Sequence, residues 1–164
     1  MKDILVHVDA PPRATARIDL ALGLARAHGA HLTGLHVVAP PFVPMMTHAP
    51  IPPEIIEQQV QWGREQAAKA EKLFKARVEA AGITAEWRVV DGYAPDMVVL
   101  NARYSDLTVV GQADPDGPNG GAQDLPDRVA LAAGGPVLVV PRVGHFATVG
   151  ERVLVAWNAS REAK

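Results

Sequence analysis

The chain has 164 residues, 48% apolar and 21% charged, with 16 Lys and Arg against 18 Asp and Glu for a net charge of −2. That size buries an ample core in one domain, and the charge balance leaves no basic footprint for nucleic acid. The absence of cysteine removes disulfides, thiolate catalysis and zinc–thiolate sites together, no apolar run approaches the roughly 20 residues that span a bilayer, and Lys2 and Asp3 lead straight into a strand rather than a signal peptide, so a cytoplasmic protein is expected.

Ile4 to Val8 is an apolar run interrupted only by His7 and reads as a buried strand. Pro11 and Pro12 interrupt the chain, and a helix is predicted from about Ala14 to His28, closed by Gly29. His31 to Val38 forms the second strand. The segment from Pro40 to Pro53 is too rich in proline for helix or central strand, and its length suits a surface excursion or lid. The longest helix then runs from about Glu54 to Ala81, with Ile56, Val60, Ala67, Ala70, Phe74 and Val78 at three- and four-residue spacing, and Gly82 ends it.

Thr84 to Val90 is the third strand, and a short helix begins near Pro95, a favoured first-turn residue. Asp106 to Val110 is the fourth strand, stopping at Gly111. From Gly111 to Gln123 the chain is mostly Gly, Asp, Pro and Asn, a loop composition. Asp124 is placed to cap a fourth helix, with Pro126 in its first turn and Gly134 and Gly135 at its end, and Pro136 to Val140 is the fifth strand.

Strand and helix alternate throughout, and strands such as Leu107–Val110 and Val137–Val140 are apolar on both faces. That pattern suits an open, doubly wound α/β fold with a parallel five-stranded sheet. With strand order 3-2-1-4-5, the helices after the first and fourth strands leave on opposite sides, opening a ligand crevice at their carboxyl ends. Asp9 and Gly111 stand there.

The end of the chain repeats its beginning. Val153-Leu154-Val155-Ala156-Trp157-Asn158-Ala159 matches Ile4-Leu5-Val6-His7-Val8-Asp9-Ala10 in kind, with Asn158 at the offset of Asp9. The expected organisation is therefore one domain over 1–143, a linker over 144–151 and the opening strand of a second repeat over 152–164. So short a strand needs a partner, either the free edge of the first sheet or another chain. The fifth strand lies at that edge, and an exposed apolar edge invites pairing, so a homodimer or a pseudo-dimer with the second repeat is expected.

The Ile4–Asp9 strand, the Asp106–Gly111 strand with its closing glycine, the turn Gly92-Tyr93-Ala94-Pro95 and the ending Gly135-Pro136-Val137-Leu138-Val139-Val140-Pro141 together resemble the universal stress protein family. The terminal repeat is similar to that family's tandem members. The resemblance implies a Rossmann-like fold of the adenine nucleotide alpha hydrolase-like type. In nucleotide-binding members it implies a loop Gly-x-x-Gly, nine residues, then Gly-(Ser/Thr), whose amides and hydroxyl meet phosphates. An aspartate ending the first strand faces the adenosine part.

On this chain the implied site falls on Asp9, Val38, Gly111, Gln123 and Asp124. Asp9 and Gly111 match the pattern. Asp114 stands in place of the second glycine, Gln123-Asp124 in place of Gly-(Ser/Thr), and the spacing is one residue short. Asp114, Asp116, Asp124 and Asp127 bring negative charge to the phosphate position, where Arg128 is the sole basic residue of the loop and helix start. Each carboxylate–phosphate pair at 4 Å repels by about 1 kcal/mol even in water. A metal ion bridging carboxylates and phosphates would reverse that sign.

Other chemistries find little support. No lysine adjoins a glycine, which excludes a P-loop, and neither Ser105 nor Ser160 lies in a Gly-x-Ser-x-Gly elbow. Met45, Met46 and His48 are soft-metal ligand types, but methionines in a proline-rich segment more often cover an apolar groove. His7 reads as a core residue, and Arg13 as a solvated helix start that an anionic ligand would also suit. The reading is a non-enzymatic regulatory or binding module with a degenerate nucleotide pocket and no required cofactor. The rival is a domain that binds ATP or AMP through an unconventional phosphate loop, with slow hydrolysis.

Overall fold

The computed structural model describes residues 1–9, 14–41, 52–113, 124–144, 146 and 148–160. Its elements follow the order β1 (Asp3–His7), α1 (Ala14–His28), β2 (His31–Val38), α2 (Pro53–Ala81), β3 (Ala85–Asp91), α3 (Ala94–Ala102), β4 (Leu107–Gly111), α4 (Leu125–Ala132) and β5 (Val137–Val140). The strands form one parallel sheet in the order β3-β2-β1-β4-β5. At its centre Val6 stands opposite Gly34 on one side and Val109 on the other.

The pleat sorts β1 onto two cores. Ile4, Val6 and Val8 pack with Ala14, Ile18 and Ala21 of α1 and with Ala70 and Phe74 of α2. Leu5 packs on the opposite face with Val98 and Ala102 of α3 and Leu125 and Val129 of α4. The helix after β1 and the helix after β4 thus cover opposite faces, which leaves the crevice between the carboxyl ends of those two strands uncovered by either.

Helix ends follow backbone chemistry. Gly29 and Gly82 adopt φ of 59° and 65°, the left-handed region that stops a helix. Gly34 serves packing instead. A Cβ there would lie 2.7 Å from the Phe74 ring, so its absence lets α2 press that ring onto β2, where it meets Trp87 at a centroid distance of 5.1 Å.

Three expectations need correction. Several strand limits move by one residue, β1 to Asp3–His7 and β4 to Leu107–Gly111. Asp124 does hold the position before α4, but its side chain makes no capping hydrogen bond. Residues 153–160 form no strand and do not join the free edge of this sheet. Val153, Leu154, Val155 and Trp157 of that stretch are exposed. Arg13, the segment carrying Met45, Met46 and His48, the loop residues Asp114, Asp116 and Gln123, and the last four residues lie outside the described residues.

Candidate functional site

β1 and β4 bring Asp9 and Gly111 to the mouth of the crevice, and between them lies a residue whose role the sequence did not announce. Arg17 comes from the buried face of α1, among Ala14, Ile18, Ala21 and Ala25. Its side chain is 4% exposed, and its Nη2 donates to Asp9 Oδ1 at 2.5 Å. The guanidinium rests directly on Gly111, where a Cβ would collide with Nη1 and sit 3.2 Å from Cζ. A side chain at position 111 would therefore press on the Arg17 guanidinium. Among the described residues the buried Nε finds no acceptor.

The neighbouring histidines are neutral. Burial, reinforced by the Arg17 charge, pushes His7 down to a pKa of about 4. His36 is lowered as well, by burial first. Its Nδ1 lies 2.7 Å from the Val8 carbonyl and donates to it, which fixes the tautomer. Arg17 is thus the one cation on this floor among the described residues, with Asp9 as its counter-charge.

Val38 ends β2 and borders the crevice less directly. Its carbonyl accepts the Gly92 N–H at 3.0 Å, and its side chain lies against α2 beside Gly63. The Gly92-Tyr93 turn leads into α3 and carries the rim. Tyr93 donates its hydroxyl to Asp124 Oδ1 at 2.8 Å, which raises the tyrosine's pKa. Arg128 lies 5.5 Å over the Tyr93 ring, bonds Asp96 at 2.7 Å and approaches Asp124 at 3.7 Å.

The start of α4 is consequently poor in donors for an anion. Asp124 places a carboxylate there, Pro126 contributes no N–H, and Asp127 adds a second acidic group in the first turn. The sequence marked the acidity of this end but missed Tyr93 as its anchor, because the contact joins residues 31 apart. Among the described residues no three His, Asp or Glu converge as a metal site, and no helix is long and apolar enough to cross a membrane.

The doubly wound α/β sheet gathers these polar groups at its switch point, the position at which open α/β sheets bind ligands. Residues 1–141 match the model of the universal stress protein family, and the chain belongs to that family. It is similar to a universal stress protein solved in complex with cAMP, at 25% identity over 85% of this chain and 96% of that one, with a TM-score of 0.60. UspA from Lactobacillus plantarum shares the fold at 23% identity and a TM-score of 0.65, over 85% and 97% of the two chains. A family protein from Arabidopsis thaliana with AMP bound shares it at 16% identity and a TM-score of 0.59, over 87% and 93%. No curated protein matches the chain.

Proposed function

We propose that this chain is a non-catalytic regulatory module that binds an adenine nucleotide in the crevice between β1 and β4. The observation that carries the reading is Asp9, half exposed after the end of β1 and paired to Arg17, whose guanidinium lies on Gly111 at the end of β4. The similar family member seen with cAMP supports the same ligand class. Of the two readings open from the sequence, nucleotide binding through an unconventional phosphate site is favoured over an empty, degenerate pocket. The carboxylates at the start of α4 keep affinity for a triphosphate low.

Thermal unfolding with ligand tests this. A ligand at a hundred times its dissociation constant stabilises the folded state by about 2.7 kcal/mol. AMP or cAMP at millimolar concentration is expected to raise the melting temperature of the wild type. No shift with either, and none with ATP and magnesium, overturns the reading.

The assembly belongs to the same proposal. Val139 is exposed on β5 at the sheet edge, and Leu154 and Trp157 are bare in the terminal stretch that copies β1. Both favour a dimer, or a pseudo-dimer in which 152–164 opens a second repeat. Sedimentation of the wild type against Val139→Lys measures it. A larger species in the wild type that the charged edge disperses is expected, and a monomer in both contradicts it.

A further inference from the structure

We propose that Arg17 is the phosphate-recognising group of this crevice, and that the ligand it selects is an adenine nucleotide carrying a single phosphate. The inference rests on the nucleotide reading above and deepens it. A guanidinium offers five N–H donors in a planar fork that matches phosphate oxygens. Here that fork is buried on the floor of the crevice, laid over Gly111 at the carboxyl end of β4. Its contact with the solvent side is Asp9, whose side chain is 48% exposed.

A buried guanidinium with an Nε that finds no acceptor among the described residues is incompletely satisfied. Anion binding completes it. Phosphate oxygens take over the Nη2 donor now given to Asp9 and reach Nε on the same edge of the fork, and the released carboxylate turns to the hydroxyls of the ribose. The exchange swaps one anion for another on the same cation, so no charge is left buried without a partner.

The geometry also limits the length of the phosphate chain. Among the described residues, the start of α4 is the helix N-terminus that follows β4, and there Asp124 is already fixed by Tyr93 at 2.8 Å and approached by Arg128 at 3.7 Å. Pro126 removes an amide donor from the same turn. Second and third phosphates would extend into carboxylates instead of donors.

The test is calorimetric titration of the folded, full-length chain with adenosine, AMP and magnesium ATP, on the wild type, Arg17→Met and Arg17→Lys. In the wild type AMP is expected to bind about tenfold tighter than adenosine, the scale of a charge-assisted hydrogen bond, and ATP no tighter than AMP. Arg17→Met is expected to erase the preference for AMP over adenosine, a loss of the ratio between the two ligands that a merely structural arginine would not produce. Arg17→Lys, which keeps the charge and loses the fork, is expected to retain part of the preference.

A wild type that binds AMP and adenosine equally, or ATP tenfold tighter than AMP, overturns the inference without needing either variant to fold. A full AMP preference in Arg17→Met overturns it while leaving the nucleotide reading intact. A wild type that binds none of the three overturns that reading itself.

Discussion

The floor and the rim of the crevice hold the same chemical pair in opposite surroundings. On the floor Arg17 is 4% exposed and meets Asp9 at 2.5 Å; on the rim Arg128 is 48% exposed and shared between Asp96 and Asp124. A charge on the floor has been taken out of water and must keep a partner. A charge on the rim is solvated whatever it touches, so its ion pairs hold position while adding little stability. The floor is therefore suited to recognition of an anion, and the rim to deciding which anions are admitted.

That contrast is broken first by acid. The unfolded chain protonates His7 near pH 6.5, whereas the folded chain holds it neutral down to about pH 4. The stability this contributes is fully present above pH 6.5 and is lost as the pH falls toward 4, by about 3 kcal/mol. The lowered His36 acts in the same direction. Urea unfolding at pH 7, 5.5 and 4.5 measures the slope, and His7→Gln is expected to flatten it. An unchanged slope in that variant shows that the acid sensitivity arises elsewhere.

A smaller effect follows from removing the counter-charge. Asp9→Ala leaves the Arg17 guanidinium facing solvent through a gap, and about 2 kcal/mol of stability is expected to go, less than for a fully enclosed pair because water reaches the site. Gly111→Ala pushes a methyl into the guanidinium and is expected to cost about 1–3 kcal/mol, falling toward zero in an Arg17→Met background. Equal costs in both backgrounds, read from urea midpoints, contradict the contact between the two residues.

The rim gives the smallest change in stability and a different readout. Asp124→Ser and Tyr93→Phe are each expected to alter stability by less than about 0.5 kcal/mol. Asp124→Ser is also expected to raise ATP affinity several-fold, since removing one carboxylate about 4 Å from a phosphate relieves roughly 1 kcal/mol. Adding Asp114→Gly extends the gain. Unchanged ATP binding in the double variant means that the carboxylates do not exclude the triphosphate.

The fold was readable because each strand is a short apolar run and each helix a longer periodic one, with glycine or proline between them. Ile4 to Val8 announces a central strand by being apolar at nearly every position, and both of its faces are covered. Asp9 and Gly111 were readable from their place at strand ends. Arg17 was not singled out, although a signal existed: an arginine stands in line with Ala14, Ala21 and Ala25 on a helix face otherwise made of small and apolar residues.

Asp124 shows the opposite failure. Local sequence made it a helix cap, but Tyr93 holds its Oδ1, and no local pattern reveals a partner 31 residues away. The copy of β1 at 153–158 repeats the lesson. Strand-forming residues alone do not make a strand, because Val153 to Trp157 lack the neighbours that surround Ile4 to Val8.

The most direct measurement is a crystal structure of the chain with AMP bound. The account predicts phosphate oxygens within hydrogen-bonding distance of the Arg17 guanidinium, with Asp9 turned away from it and Asp124 still joined to Tyr93. A phosphate seated on the first amides of α4, with Asp124 displaced and the Arg17–Asp9 pair intact, contradicts it.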